Sequence, residues 1–564
     1  MPRLKSAADL EKLRQEIQSK AKGKKIVSVT NGADGRARGS QEVVQALAKE
    51  IEKQGLKDKV LVKSTGCHGF CEKEPIVVIF PEEICYVEVK PADVPEIVSA
   101  TLAQGKTIER LLYQDPNTGK RITKESEIPF YKAQSRVVLG NNRFIDMESI
   151  DDYIALDGYS ALAKALLEMS AEDVLGQIKE SNLKGRGGGG FPAGRKWETT
   201  RNAPGKIKYA IVNAHEGEPS AFMDRAILLG NPHSVLEGLI IGAYAIGASQ
   251  GYIYLRHDSP QTIDVVNKAL AQAEKYGLLG KNILGSGFDF NVELHRDIGI
   301  FVSGESTALM TSIEGNVPEP RPKYIHTSVS GIHQRPTNLN NVETWANVPL
   351  IIGKGVAWFT GIGTEGSKGT KIISLAGNIN NTGLVEVPMG VTLRELVYDI
   401  GGGIPDKKKL KAVYVGGPLG GCLPESQLDL KVDFDELWEA GAPIGAGSMI
   451  VMDETNCMVN FARYFLNFLA DESCGKCIPC REGVYQMLKI MNRICRGEGR
   501  DGDIELLEEI SAVVMDASLC ALGQTAPNPI SGTIKHFRKE YEAHIQQKRC
   551  PTGVCQMLAA VGRG

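Results

Sequence analysis

Three cysteines at two-residue spacing constrain this 564-residue chain more than any other feature. They are Cys474, Cys477 and Cys480, and Cys520 follows further along in the run Ser-Leu-Cys-Ala-Leu. Two-residue gaps allow three thiolates from one loop to reach neighbouring iron atoms, and a fourth cysteine from a distant helix end completes a [4Fe–4S] cluster. A structural zinc site and buried free thiols are the alternatives, but a triple cysteine with a fourth partner favours the cluster.

The charge balance and the N-terminus exclude several classes of protein. With 65 basic and 68 acidic residues the net charge is −3, so no global basic field indicates nucleic acid binding. The first 25 residues are polar and helix-like, without the apolar core of a signal peptide. The most apolar run, 238–255, is diluted by small and polar residues and predicts a buried helix followed by a strand, not a membrane span. We expect a soluble cytoplasmic protein whose twelve cysteines are reduced or metal-bound.

The alternation of strand and helix patterns predicts a multidomain α/β chain. The N-terminal pattern is typical of a thioredoxin-like domain. It predicts strands at 26–29 and 60–63, a helix at 41–53, two hairpin-like strands at 76–80 and 86–89, and a closing helix near residue 94. Short strands around one helix after residue 366, among them a strand at 412–415, predict a β-grasp domain. The helical pattern with polar breaks from residue 456 to about 547 predicts a four-helix bundle. The expected divisions are 1–104 (thioredoxin-like), 105–129 (linker), 130–360 (α/β), 361–452 (β-grasp), 453–547 (helical) and 548–564 (cysteine-bearing tail).

The segment 472–483, Glu-Ser-Cys-Gly-Lys-Cys-Ile-Pro-Cys-Arg-Glu-Gly, resembles the cluster-binding segment of the flavin-bearing, NADH-oxidising subunit of respiratory complex I. The resemblance extends over about 130–547, and the layout is most similar to the beta subunit of soluble NAD-linked and electron-bifurcating hydrogenases. It implies a Rossmann-like FMN and NADH domain, an SLBB-like β-grasp domain, and hydride exchange with FMN before one-electron transfer to the [4Fe–4S] cluster. The alternative is a non-enzymatic electron-transfer or scaffold subunit.

A glycine-rich loop lies within 184–197 and contains the pattern G-x-G-x-x-G from Gly185 onward. As a dinucleotide fingerprint it is weak, because a helix-like segment precedes it where a strand is required. Glycines nevertheless allow backbone N–H groups to approach a phosphate closely, whereas the alternative is a flexible loop without a ligand. The resemblance implies that Gly185, Arg186, Gly187, Gly188 and Lys196 hold the flavin phosphate and ribityl chain, and that Phe191 stacks on the nicotinamide nucleotide.

Three further blocks of sequence, which begin at Asn213, Phe301 and Pro336, resemble the same family and differ from it at three positions. His215 replaces a family Asp, Phe301 a family Tyr, and Ser306 a second Glu. The changes at His215 and Ser306 motivate the scaffold alternative. Glu216 and Glu305 are the predicted catalytic residues, with Asn213 and Glu216 on the flavin side and Glu218 on the NADH side. The cofactor-binding residues implied by the three blocks are Asn213, His215, Glu216, Glu218, Phe301, Gly304, Glu305, Ser306, Asn340, Asn341 and Thr344.

The N-terminal motif Cys67-His-Gly-Phe-Cys71 resembles the second cysteine pair of thioredoxin-like [2Fe–2S] ferredoxin domains. The first pair is expected within 29–35, where the sequence has no cysteine, and Cys85 lies in a strand-like run. Two thiolates rarely hold a binuclear cluster. We therefore expect a degenerate docking domain without a [2Fe–2S] cluster, with an unusual ligand set as the alternative.

Four residues outside the cluster motif predict a second metal site: Cys457, His544, Cys550 and Cys555. An antiparallel bundle brings the start of the helical domain near its end, and a Cys3His set favours tetrahedral zinc. Free thiols in the tail are the alternative. Because one chain with one exit cluster shows no terminal catalytic site, we expect two partners, a [2Fe–2S] thioredoxin-like small subunit and a catalytic or ferredoxin-bearing large subunit.

Overall fold

The computed structural model describes residues 3–116, 118–297, 299–322 and 324–556. Within these ranges the strands form one two-stranded, two four-stranded and one five-stranded sheet, which together with the helices give a mixed α/β chain. The predicted cysteine-bearing tail is described as far as residue 556, and 557–564 lie outside the described residues.

The N-terminal domain is built on a mixed sheet of order β2-β1-β3-β4, in which β1 and β2 are parallel and the other pairs antiparallel. The strand predicted over 86–89 instead spans Ile84–Tyr86, because Glu88 has a φ of +53° and cannot continue an extended strand. Its elements are α1 (Ala7–Ala21), β1 (Lys25–Thr30), α2 (Ala33–Ala37), α3 (Ser40–Lys53), β2 (Val60–Thr65), β3 (Val77–Phe80), β4 (Ile84–Tyr86) and α4 (Val94–Glu96).

Two contacts attach this domain to the next one. Leu10 and Leu13 of α1 are buried in the core of the following α/β domain. A side chain at Gly66 would collide with the backbone of Gly230, so the two domains approach through glycines. The predicted linker packs against both domains. Its Glu125 is buried, and His68 Nδ1 and Arg143 Nη1 lie 3.0 Å and 2.7 Å from its carboxylate oxygens. The elements here are β5 (Tyr113–Gln114), β6 (Arg121–Ile122) and α5 (Pro129–Lys132).

The central domain contains a parallel sheet of order β10-β7-β8-β9 covered by helices. The run 238–255 forms a buried helix and then a strand, as predicted. No single described helix is long and apolar enough to cross a membrane. The helices Met223–Gly230 and Pro232–Ile246 reach the necessary length and composition only when they are taken together, and a 97° bend separates them. The elements are α6 (Ile150–Ala155), α7 (Ser160–Leu167), α8 (Ala171–Glu180), α9 (Ala193–Asn202), β7 (Tyr209–Ala214), α10 (Met223–Gly230), α11 (Pro232–Ile246), β8 (Gln250–Arg256), α12 (Pro260–Tyr276), β9 (Asn291–Asp297), α13 (Ser306–Ile313), β10 (Thr337–Asn341), α14 (Val342–Lys354) and α15 (Val356–Thr360).

The five-stranded sheet has the order β12-β11-β15-β13-β14 and packs around the helical turn Glu395–Ile400. After it, four long helices and the short α20 form the C-terminal region, where α17 packs against α18 and α21, and α18 packs against α19. The elements are β11 (Thr370–Gly377), β12 (Gly383–Pro388), β13 (Leu410–Val415), β14 (Gly421–Pro424), α16 (Phe434–Glu439), β15 (Ser448–Asp453), α17 (Met458–Asp471), α18 (Ile478–Cys495), α19 (Asp503–Ala517), α20 (Ala521–Thr525) and α21 (Asn528–Gln546).

Candidate functional site

The four predicted blocks meet at one edge of the parallel sheet. β7 ends at Ala214, directly before His215, and its neighbour β10 ends at Asn341. In open parallel sheets, ligands bind outside the carboxyl ends of the strands. The topology therefore brings residues that are more than a hundred positions apart in sequence to one candidate ligand site.

The glycine-rich loop is fixed against the start of α14. The backbone N–H of Arg186 donates to Thr344 Oγ1 at 2.8 Å, and a Cβ at position 187 would lie 2.9 Å from the Cβ of Asn341. The buried Arg186 guanidinium donates to the carbonyls of Lys184, Lys368 and Thr370, so this side chain anchors the loop to β11. The backbone N–H of Gly185 donates to the carbonyl of Phe191 at 2.9 Å, so the loop is also closed on itself.

Lys196 and Phe191 lie on either side of the start of α9. The Lys196 ammonium donates to the carbonyl of Leu339 at 2.9 Å, which places its charge beside β10. The Phe191 ring is 47% exposed, with the Arg195 guanidinium 5.9 Å from its centroid. An exposed aromatic face beside a glycine-rich loop suits the stacking of a flat heterocycle.

A buried acidic group connects two of the blocks. Glu216 accepts hydrogen bonds from the backbone N–H groups of Asp224 (2.9 Å) and Arg225 (3.2 Å) at the start of α10. Asn341 Nδ2 donates to Asp224 Oδ2 at 2.5 Å. Burial raises the pKa of both Glu216 and Asp224. Asp224 was not identified from the sequence, although it follows Glu216 by only a few residues.

Glu218 lies between the parallel sheet and the five-stranded sheet. Burial, and then the charge of Glu216, raise the pKa of Glu218 to about 8. Its Oε1 is buried without a hydrogen-bond partner among the described residues, and a Cβ at Gly417 would come within 2.6 Å of its carboxyl carbon. An unpartnered buried carboxyl oxygen is costly unless a ligand completes its hydrogen bonds.

His215, which departs from the family pattern, has a buried acidic neighbour. Its Nε2 lies 2.9 Å from Asp297 Oδ2, and the Tyr254 hydroxyl donates to Asp297 Oδ1 at 2.7 Å. Burial alone would raise the pKa of Asp297, but the adjacent His215 ring and the hydrogen bond from Tyr254 outweigh it and lower this pKa to about 2. Asp297 and Tyr254 were not identified from the sequence, because only the alignment of β8 and β9 brings them to this position.

The block 301–306 reaches the same edge from the other side. Asn213 Nδ2 donates to the carbonyl of Gly304 at 3.0 Å. Glu305 is the N-cap of α13 and accepts hydrogen bonds from the N–H groups of Thr307 (2.8 Å) and Ala308 (3.1 Å), while the Ser306 hydroxyl donates to its other oxygen. The predicted catalytic carboxylate at position 305 thus has a structural task in addition to any ligand contact.

This block also touches the cysteine motif. The N–H of Phe301 donates to Glu472 at 2.5 Å, and its ring centroid lies 5.3 Å from that of Phe468 in α17. The adjacent Val302 lines a cavity together with the predicted cluster ligands Cys474, Cys477, Cys480 and Cys520. One short segment therefore separates the sheet-edge site from the four thiols.

The four thiols around this cavity fit an iron–sulfur cluster. Three come from the loop before and the first turn of α18, and Cys520 is the N-cap of α20. Burial raises the pKa of Cys480 to about 11 and also raises that of Cys520. Four sulfur donors that converge from two elements match the ligand set of a [4Fe–4S] cluster.

Comparison with protein families agrees with this geometry. Residues 178–350 match the Nuo51 FMN-binding domain, 460–544 the NADH-ubiquinone oxidoreductase-F iron-sulfur binding region, 14–102 the thioredoxin-like [2Fe-2S] ferredoxin, and 372–423 the SLBB domain. The NADP-reducing hydrogenase subunit HndC of Solidesulfovibrio fructosivorans is 51% identical over 76% of this chain and 87% of its own length. The F 2 subunit of the NADH-quinone oxidoreductase of Rhizobium meliloti (strain 1021) is 45% identical over 74% of this chain and 99% of its own.

The chain belongs to the family of the F subunits of NADH-quinone oxidoreductases. It is an NADH dehydrogenase-type oxidoreductase subunit with FMN and a [4Fe–4S] cluster as cofactors, as the resemblance implied. A solved chain of an NAD+-reducing [NiFe]-hydrogenase in the H2-reduced state has a similar fold, with a TM-score of 0.65, 26% identity, and coverage of 96% of this chain and 91% of its own.

This member of the family also brings its four predicted zinc ligands together. Cys457 Sγ lies 3.5 Å from His544 Nε2 and 3.7 Å from Cys555 Sγ, and the ligand atoms of these residues and Cys550 all lie within 4.8 Å of one another. The other ring nitrogen, His544 Nδ1, lies 2.7 Å from the carbonyl oxygen of Glu540. A metal-ligating histidine is commonly oriented by such a contact.

The thioredoxin-like domain of this oxidoreductase chain does not offer the four thiolates of a [2Fe–2S] cluster. Cys67 and Cys71 are buried, with their sulfur atoms 3.4 Å apart, but the segment 29–35, which joins β1 to α2, has no cysteine. Cys85 lies in β4 within the hydrophobic core. Because a binuclear cluster takes four protein ligands, the residues present do not fit it.

Proposed function

We propose that this chain is the NADH-oxidising flavoprotein subunit of a cytoplasmic multisubunit redox complex. The observation that supports this most is the block 301–306, which contacts the sheet-edge site at Gly304 and lines the four-cysteine cavity at Val302. FMN, when bound, exchanges a hydride with NADH and passes electrons singly to an iron–sulfur cluster. Adjacent sites on one short segment suit that sequence of two-electron and one-electron steps.

The protein's own residues supply binding and orientation. We assign the flavin phosphate and ribityl chain to the backbone of the glycine-rich loop and to Lys196, and the flavin ring to Asn213, His215 and Glu216. Phe191 and Glu218 are assigned to the nicotinamide nucleotide. Hydride transfer needs alignment of donor and acceptor more than a general acid, so Glu216 and Glu305 act by positioning. The remaining assigned contacts are Phe301, Gly304, Ser306, Asn340, Asn341 and Thr344.

The domain limits given above and the helical bundle belong to the same proposal. The region 453–547 acts as a four-helix bundle that carries the cluster. One structural zinc ion, held by Cys457 and His544 of the bundle and by Cys550 and Cys555 of the tail 548–564, fastens the tail to the bundle. The electrons leave to a [2Fe–2S] thioredoxin-like small subunit and to a catalytic or ferredoxin-bearing large subunit. Two related chains are themselves named as subunits, of a hydrogenase and of a quinone oxidoreductase, which supports an assembly of this kind.

Anaerobic reduction of the purified chain tests the proposal. We expect a yellow protein whose flavin absorbance is bleached by NADH and whose cluster becomes visible by EPR after reduction. The scaffold alternative predicts the opposite, a cluster-loaded chain without flavin that does not respond to NADH. Titration with NADH and with NADPH in parallel then identifies the preferred nucleotide.

A further inference from the structure

The N-terminal domain contains a pair of thiols that the proposed electron pathway does not use. Cys67 and Cys71 are free thiols, 8% and 9% exposed, and their sulfur atoms lie 3.4 Å apart. Cys71 begins a short helical turn directly after the loop 67–70, so the backbone holds the two side chains together. Two thiols at this separation need only a small movement to form a disulfide. Buried thiols are nevertheless mostly inert, so access and a base are needed to indicate a reactive site.

A cavity gives the pair access to a small oxidant. It has a volume of about 120 Å3 and is lined by Cys67 and Cys71 on one side and by Phe222 and Arg225 of the central domain on the other. The exposed Asp34 lines the same cavity, so the cavity reaches the surface of the protein. A water molecule occupies about 30 Å3, so hydrogen peroxide, which has two oxygen atoms, fits this space.

The two thiols differ in how readily they lose a proton. The hydrogen bond with Cys71, and then burial, raise the pKa of Cys67 well above its usual value. For Cys71 the same hydrogen bond lowers the pKa, although burial outweighs it and leaves this pKa raised. Cys71 is therefore the first to become a thiolate, with Cys67 as its hydrogen-bond donor. Cys67 needs a separate proton acceptor before it can react.

Glu74 is suited to accept that proton. It is 1% exposed, and neither carboxyl oxygen has a hydrogen-bond partner among the residues that the structure describes. Burial, and then the neighbouring Cys67 thiol, raise the pKa of Glu74. A Cβ at Gly35 would lie 2.7 Å from Glu74 Oε2, so the carboxyl group packs against the segment 29–35. A carboxyl group whose pKa is raised toward that of a thiol can exchange a proton with it.

We propose that Cys67 and Cys71 form a reversible dithiol–disulfide site that hydrogen peroxide oxidises, with Glu74 as the proton acceptor for Cys67. The Cys71 thiolate attacks one peroxide oxygen and the O–O bond breaks. The displaced hydroxide takes up the proton that the thiol released, which gives a sulfenic acid and water. Glu74 then takes the proton of Cys67, whose sulfur attacks the Cys71 sulfur. The S–O bond breaks and the hydroxide leaves as water with the proton from Glu74.

The overall reaction converts two thiols and one peroxide into one disulfide and two water molecules. The two electrons that the thiols lose reduce the peroxide, and a dithiol reductant reverses the change by thiol–disulfide exchange. At the position where a [2Fe–2S] cluster is expected from the resemblance, the chain thus has two-electron thiol chemistry. This activity does not depend on NADH or on the proposed flavin site.

Mass spectrometry of the full-length chain tests the site, because Cys67 and Cys71 lie in one tryptic peptide, 64–73. The reduced protein is treated with hydrogen peroxide, denatured and alkylated before digestion. We expect this peptide to carry no alkyl group and to lack two hydrogen atoms, and dithiothreitol to restore both thiols. Cys85, in the peptide 74–106, is fully buried and is the internal control; its free thiol should be lost at least about 10-fold more slowly.

A variant of Glu74 tests the role of the base. Glu74→Gln should slow disulfide formation by about 100-fold, because a positioned base contributes about 100- to 10,000-fold to a proton transfer. The sulfenic acid should then accumulate at Cys71, where dimedone traps it. Glu88→Gln, which changes an exposed carboxyl group of the same domain, is the matched control and should form the disulfide at the wild-type rate.

Retained NADH–dye activity and an unchanged circular dichroism spectrum before oxidation show that each variant has folded. Two alkylated thiols in the peptide 64–73 after peroxide treatment of the wild type would overturn the proposal. Oxidation of Cys71 to a sulfinic acid without a disulfide would overturn it as well. A wild-type rate in Glu74→Gln would overturn the assignment of the proton acceptor.

Discussion

The N-terminal and C-terminal regions of this chain use cysteine in different ways. At the C-terminus, the eight proposed ligands form two sets of four, and Cys457, Cys477 and Cys520 are the N-caps of helices. In the N-terminal domain only Cys67 and Cys71 stand at the cluster position, with their sulfur atoms 3.4 Å apart, and Cys85 lies in β4. Both regions match families named for iron–sulfur proteins, so a family match reports the fold of a domain, whereas the ligand set decides its chemistry.

The thioredoxin-like domain is able to lose a cluster because its core does not depend on one. Val27 and Val29 of β1 are fully buried against Val43 and Leu47 of α3. Burial of each such side chain contributes about 1.5–3 kcal/mol. Three of the C-terminal helices, α17, α18 and α20, instead begin at proposed metal ligands, so there we expect metal binding and folding to be coupled.

The sharpest test of this comparison is the loss of one C-terminal ligand. Cys477→Ala should abolish the [4Fe–4S] EPR signal of the reduced protein, because three ligands do not hold the cluster stably, while bound flavin remains. If the N-terminal domain has no cluster, no iron–sulfur signal of any kind should survive in this variant. A persisting [2Fe–2S] signal would show that the N-terminal domain does hold a cluster. Cys422→Ser changes a buried thiol outside both sets; it is the control and should keep the wild-type spectrum.

The second test removes the tail ligands. Cys550→Ser/Cys555→Ser should lose one zinc ion per chain and unfold at a lower temperature, since structural zinc contributes about 10 kcal/mol or more in small zinc domains. NADH–dye activity should be retained, because the flavin site lies in another domain. Cys495→Ser serves as the control, and full zinc content in the double variant would exclude the site.

The flavin domain lies between the two regions in the chain, and the residues proposed to bind its cofactor include no cysteine. Lys196→Ala should weaken FMN retention by about 10- to 100-fold, because one charge-assisted contact contributes about 1.5–3 kcal/mol. Flavin content after dialysis measures this, with the exposed Lys206→Ala as control. Unchanged flavin content in Lys196→Ala would show that the phosphate binds elsewhere.

The smallest expected effect is a pH dependence within the same domain. The pKa of Asp297 is lowered from 3.8 to about 2, so its contribution to stability is present above pH 3.8 and is lost as the pH falls toward 2. Asp297→Asn should therefore lower the free energy of unfolding at pH 7 by about 2 kcal/mol and flatten its pH dependence in this acidic range. Asp258→Asn, a partly exposed partner of Arg256, is the control and should change stability little.

The positions of strands, helices and glycine turns followed largely from local sequence. The helix predicted over 41–53 begins one residue earlier, at Ser40, and the strand predicted over 412–415 extends over Leu410–Val415. These elements were accessible because the spacing of apolar residues is a local property. The strand predicted over 86–89 was misplaced, because the left-handed backbone at Glu88 left no periodic signal.

The sequence by itself determined the ligand chemistry of the C-terminal region, since cysteine spacing and residue type specify the donors before the chain is folded. Only the tertiary structure decided which groups outside a motif become neighbours. Asp297 reaches His215 through the register of three parallel strands, and Glu74 reaches the space at Gly35 because β1 and β3 pair. Such contacts join residues far apart in the chain, and no local pattern encodes the pairing of strands that creates them.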